Sequence, residues 1–164
     1  MKRLLLVTVA LLSVIVFGCA TAPPPATQTQ IREFQTREFD ADTKTVLKAC
    51  LNALQDDGYI VKNAVSDLGL LSATKQVDVQ SNGEAVVAVL FAGGNARFKK
   101  NSETEVTVNV SDFGSKSKVR ANFGVKVIDN KGGVISVTQI ADAKFYGDFF
   151  AKVDKAIFLQ KQKL

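Results

Sequence analysis

Between Thr104 and Ile140, apolar and polar residues alternate with a period of two, broken only where turn-forming residues cluster. Val106, Val108 and Val110 alternate with Glu105, Thr107 and Asn109. After Gly114-Ser115-Lys116 the pattern resumes, with Val119, Ala121, Phe123, Val125 and Val127 on one face. It resumes again from Val134 to Ile140, after Asp129-Asn130-Lys131-Gly132-Gly133. Successive side chains of a strand point to opposite faces, so this alternation predicts half-buried strands rather than helices. Three such strands joined by short turns make an antiparallel meander, one face on a core and one toward water.

Two stretches carry the other period. Val46, Leu47, Cys50, Leu51 and Leu54 recur at helical spacing, with Asp40 and Asp42 placed as N-caps and Gly58 as a stop, which predicts a helix over 43–57. Asp142 caps a second helix over 143–160, striped by Tyr146, Phe149, Phe150, Val153 and Ile157. Between the first helix and the meander, Tyr59 to Val65 and Leu70 to Lys75 read as paired strands around a turn at Ser66-Asp67 and Gly69, the second continuing through Val77 and Val79. Residues 80–101 read two ways: Asn82-Gly83 fits a hairpin turn before Ala85 to Phe91, and that apolar run fits a short buried helix equally well. A loop with a basic tip at Arg97, Lys99 and Lys100 follows. Ile31 to Phe39 reads as a short edge strand or an extended lead-in. The fold expected is α+β: an antiparallel sheet of five to six strands packed by two amphipathic helices, in the order helix, hairpin, meander, helix.

The front of the chain has a different character. Lys2 and Arg3 precede Leu4 to Phe17, a 14-residue apolar stretch interrupted by Thr8 and Ser13. It is too short to span a bilayer core of roughly 30 Å, which needs about 20 apolar residues, and it has the form of a secretory signal peptide. Val16-Phe17-Gly18-Cys19 resembles the lipobox of bacterial lipoproteins, although Phe17 stands where that motif more often has a small residue. The resemblance implies cleavage before Cys19, a diacylglyceryl group on its thiol and acylation of the new amine. Ala20 to Thr27, with three prolines, suits a flexible tether. The chain thus divides into a signal peptide (1–18), a lipidated cysteine with its tether (19–32) and one α+β domain (33–164). Two or three acyl chains anchor firmly, since each buried CH₂ contributes about 0.8 kcal/mol. Ala20 rather than Asp after the cysteine implies, by resemblance to enteric-type lipoproteins, the periplasmic face of the outer membrane.

Composition closes several routes. There is no His, which excludes Ser-His-Asp and Cys-His triads and His-ligated zinc sites. Losing Lys2 and Arg3 with the signal peptide leaves 19 basic against 16 acidic residues, a net charge of +3, and no clustered basic-aromatic surface suggests nucleic acid. Cys50 lies on the apolar stripe of the first helix and reads as core. Ala92-Gly93-Gly94-Asn95 lacks the spacing of phosphate-binding loops. Asp56 and Asp57 sit at a helix C-terminus, where they read as solvated carboxylates without matched partners. The tip at Arg97, Lys99 and Lys100 reads as a solvated loop, or as a contact to anionic headgroups or peptidoglycan. Phe145, Tyr146, Phe149 and Phe150 read as core, or in part as the lining of an apolar groove.

Arg37 to Asp40, Leu51 to Tyr59, Gly69 to Lys75, Val127 to Gly133 and Phe145 to Phe150 together resemble a family of small uncharacterised bacterial lipoproteins over nearly all of the mature chain. That family has no assigned activity and so lends no catalytic residues. The Gly-Tyr and Gly-Leu-Leu elements also resemble, at the level of fold only, helix-grip modules of outer-membrane assembly lipoproteins. The functional expectation is a lipid-anchored envelope protein, not an enzyme, with a binding or scaffold role at the outer membrane. It needs no cofactor or metal, and its partners are the membrane, through its acyl chains, and an envelope protein. The alternative is a carrier holding a lipid or other apolar ligand between helix and sheet; an enzyme is the third reading.

Overall fold

A computed structural model describes residues 27–78 and 99–162. The signal peptide, Cys19, Arg97 and the 80–98 part of the ambiguous segment lie outside the described residues.

The architecture is α+β, with three helices and one six-stranded antiparallel sheet among the described residues. In chain order the elements are α1 (Gln28–Phe34), β1 (Thr36–Phe39), α2 (Thr43–Asp56), β2 (Ile60–Val65), β3 (Leu70–Asp78), β4 (Lys99–Phe113), β5 (Lys116–Asp129), β6 (Val134–Gln139) and α3 (Ala143–Lys161). A single 3₁₀ turn, Ser66–Leu68, joins β2 to β3. Helix α1 begins inside the stretch assigned to the tether, so residues 28–32 are helical. Its start signal is a capping box, in which the Thr27 hydroxyl accepts from the Gln30 N–H while the Gln30 side chain accepts from the Thr27 N–H.

The two long helices begin and end as their sequences dictate. The Asp42 carboxylate accepts from the Thr45 N–H at 3.0 Å, and that of Asp142 accepts from the Phe145 N–H at 2.8 Å. Helix α2 stops in a Schellman motif: the Tyr59 N–H donates to Leu54 O, the Gly58 N–H donates to Gln55 O, and Gly58 takes φ +80°.

The sheet runs β2-β3-β4-β5, and the far edge of β5 is shared end to end by two short strands. Strand β1 pairs with β5 residues 117–120, and β6 pairs with residues 124–128. At the handover the Ala121 N–H donates to Gln35 O and the Ile140 N–H donates to Phe123 O. The buried Tyr146 hydroxyl ties this point together. It accepts from the Phe123 N–H and from Gln35 Nε2 and donates to Ile140 O, at 3.1–3.2 Å.

Register places Leu71, Val108 and Ala121 in one row, Ala73, Val106 and Phe123 in the next, and Val110 beside Val119. These residues are buried beneath Val46, Leu47, Cys50 and Leu54 of α2 and Tyr146, Phe149, Phe150 and Val153 of α3. The opposite face carries Ser72, Thr74, Glu105, Thr107, Asn109, Arg120 and Asn122, which suits a solvated face.

Candidate functional site

Two surfaces stand apart from the packed core. The first is a half-open cleft of about 280 Å³ where the end of α2, the start of β2 and the first turns of α3 meet the sheet. Aromatic rings form its wall. Phe123, 1% exposed, stands edge-on to Tyr59, Phe145, Tyr146 and Phe149 at centroid distances of 6.0, 4.9, 5.6 and 5.2 Å. This geometry suits the ring quadrupole, each pair adding ~0.5–1.5 kcal/mol beyond the area buried.

Charged groups rim the same cleft. Lys152 of α3 pairs with the Asp57 carboxylate, and Asp148 pairs with Lys144 one helical turn earlier at 2.6 Å. Lys75 projects from β3, donates to the Asp57 backbone carbonyl at 2.6 Å and lies 5.7 Å from the Tyr59 ring centroid. Gly58 borders it: a Cβ there would make only an ordinary contact, 3.8 Å from the Lys75 ammonium. Burial, reinforced by the Asp57 charge, pushes the Tyr59 phenol up to about 12, so it stays neutral at physiological pH.

Asp57 is thus a correction to the sequence reading, which gave it no partner. Its partner stands 95 residues away along the chain, where only the packing of α3 against α2 brings it close. Asp56 follows the sequence reading and is exposed.

The second surface is strand β6. All six of its residues are exposed, including Val134 (54%), Ile135 (48%) and Val137 (72%). Among the described residues β6 pairs only with β5, so its other edge presents unpaired backbone groups. The other two edge strands are protected. Strand β1 has four residues and carries Arg37 and Glu38, which pair with Asp154 and Lys118. Strand β2 contains Lys62 and a bulge between Val61 and Asn63. Strand β6, Val-Ile-Ser-Val-Thr-Gln, carries no charge and no proline, and its irregularity is confined to the Val134 end.

The remaining candidates from the sequence divide. Lys99 and Lys100 are the first two residues of β4 rather than the tip of a loop; Lys99 aligns with Asp129 of β5, and Lys100 sits at an irregularity in that pairing. Cys50 is fully buried, and burial pushes its thiol up to about 12, which leaves it protonated and inert. Tyr146, Phe149 and Phe150 are core, whereas Phe145 is half-buried and faces the cleft. Sequence reasoning missed Tyr59, Lys75 and Lys152 as neighbours, since no local spacing links them. Among the described residues, no group of three or more His, Cys, Asp or Glu side chains is placed to hold a metal ion. No described helix is long and apolar enough to cross a membrane.

No family model matches the chain, and a search of curated proteins finds no match. Among solved structures, a DUF4468 family protein from Bacteroides ovatus resembles it with a TM-score of 0.41 and 8% identity, over 74% of this chain and 84% of the other.

Proposed function

We propose that this protein is a lipid-anchored component of a bacterial envelope, tethered through acyl chains on Cys19, whose α+β domain binds another envelope protein along strand β6. The supporting observation is the contrast among its edges: β1 and β2 carry charge, bulge or short length, and β6 carries an uncharged, fully exposed edge. A partner strand added there would satisfy the open backbone groups, while Val137 and its apolar neighbours would supply specificity through alternate side chains. Arg97, Lys99 and Lys100 serve as a secondary contact to anionic headgroups, each basic residue near such a surface contributing about 1 kcal/mol.

The carrier alternative calls for an enclosed apolar cavity of roughly 300 Å³ or more. Phe123, Tyr146, Phe149 and Leu54 fill the layer between helices and sheet, and the aromatic cleft is open, which favours the binding module.

The test uses a photo-crosslinking residue at position 137 of the lipoprotein in living cells, with position 62 of β2 as the control edge. The reading expects a discrete adduct with an envelope protein from position 137 and none from position 62. Equal labelling from both edges, or none from either, refutes it. Cys19→Ala is expected to abolish palmitate labelling; labelling that persists removes the anchor from the proposal.

A further inference from the structure

The aromatic cleft has a charge distribution that points to a ligand of its own. Both carboxylates of its lining are engaged, Asp57 by Lys152 and Asp148 by Lys144. Among the described residues, no carboxylate pairs with Lys75, whose ammonium is held at the mouth by the Asp57 carbonyl. Three donors sit on an ammonium, and this single bond leaves others for a ligand. The neutral Tyr59 phenol adds no negative charge beside it. With Lys144 counted from outside the lining, three lysines meet two carboxylates among the described residues, and Lys75 is the one without a carboxylate partner, above a wall of Phe145, Phe149 and Phe123. Its volume, about 280 Å³, falls just below the roughly 300–1,000 Å³ of drug-sized sites and suits a small ring bearing an acid group, not an acyl chain.

We propose that this cleft binds a small amphipathic anion, its acid group on Lys75 Nζ and its flat apolar body against Phe145 and Phe149. A cationic ligand would meet Lys75 and Lys152 at the mouth and would have to displace a lysine to reach Asp57 or Asp148. An uncharged aromatic gains the wall but not the ion pair. The site is separate from β6, so it stands or falls independently of the strand-addition reading.

Calorimetric titration of the full-length protein with three probes of one shape tests this: 1-naphthoate, 1-naphthalenemethanol and 1-naphthylmethylammonium. The proposal expects saturable binding of naphthoate, weaker binding of the alcohol and none of the ammonium. Lys75→Gln is expected to weaken naphthoate about tenfold or more, the scale of one charge-assisted hydrogen bond, while leaving the alcohol unchanged. Lys75→Arg is expected to restore naphthoate binding, and Phe145→Ser, on a half-buried side chain, to weaken both ligands. Circular dichroism of each variant separates loss of binding from loss of fold. The proposal is overturned if naphthoate shows no saturable binding, if folded Lys75→Gln binds it as wild type does, or if the ammonium binds more tightly.

Discussion

Strand β5 passes through two environments, and the contrast between its halves organises the molecule. From Ser117 to Phe123 it is flanked by β4 and, as far as Arg120, by β1, and roofed by α2 and α3; Val119, Ala121 and Phe123 are buried to within 1%. From Gly124 to Ile128 it is flanked by β4 and β6, and Val125 and Val127 are only half-buried and outside the core cluster. The same alternation therefore does different work. In the first half Val119, Ala121 and Phe123 align with Val110, Val108 and Val106 of β4. In the second, Val125 aligns with Thr104 and Thr138, and Val127 with Ser102 and Ser136. The first half holds the fold together, and the second carries β6, whose six residues are all exposed.

The largest expected break in this contrast comes from truncating one residue in each half. Phe123→Ala removes the ring shared by four aromatic neighbours and should destabilise by about 3–5 kcal/mol, a large share of the ~5–15 kcal/mol typical of a domain. Val127→Ala should lose about 1 kcal/mol or less. Urea unfolding of both variants measures the difference, and similar losses would erase the distinction between the halves.

Next come two glycines. Gly69 takes φ +62°, its carbonyl accepts from the Val110 N–H at 2.8 Å, and a Cβ there would lie 2.0 Å from Val110 O. Gly69→Ala should thus cost about 3 kcal/mol or more, from left-handed strain and a backbone clash together. Gly124, in the open half, would bring its Cβ only to 3.9 Å from Thr138 O, an ordinary contact. Gly124→Ala should stay within about 1 kcal/mol of wild type, as thermal unfolding would register.

At the boundary between the halves, Tyr146→Phe leaves the Phe123 N–H and the Gln35 amide without their buried acceptor. A loss of about 1–3 kcal/mol is expected. Amide exchange at Phe123 and Ile140 should accelerate more than at Val108; a uniform acceleration would mean that Tyr146 supports the whole core rather than the handover.

The smallest effect on stability belongs to the open half. Val137→Lys adds a charge to an exposed edge strand and should change stability by no more than about 0.5 kcal/mol. It should nevertheless abolish the adduct of the crosslinking experiment when the photoreactive residue is moved to position 135. Binding that survives the charge would move the contact away from β6.

Much of this was legible in the chain. The α2 stripe, Asp42 as its cap and Gly58 as its stop follow from local rules, as do α3 and the meander, because each depends on residues within one or two turns of each other. Helix α1 carried its own signal in Thr27 and Gln30, yet only Ile31 among its seven residues is buried, too little apolar stripe to read as a helix. The site was harder. The Asp57–Lys152 pair and the position of Lys75 over Tyr59 join elements distant in sequence, and charge patterning along one element cannot reveal them.

By itself, then, the sequence determined where α2 and α3 begin and end and where the meander turns, since caps, turns and hydrophobic period act over a few residues. It also determined which side chains of each element are apolar. Only the tertiary structure decided how those faces were used. Val119 and Val127 lie on the same face of one strand in the same pattern, yet the first is buried and the second half-open. The reason is reach: two helices cover one end of a long sheet, and burial depends on what another part of the chain places above a residue, which its neighbours in sequence do not specify.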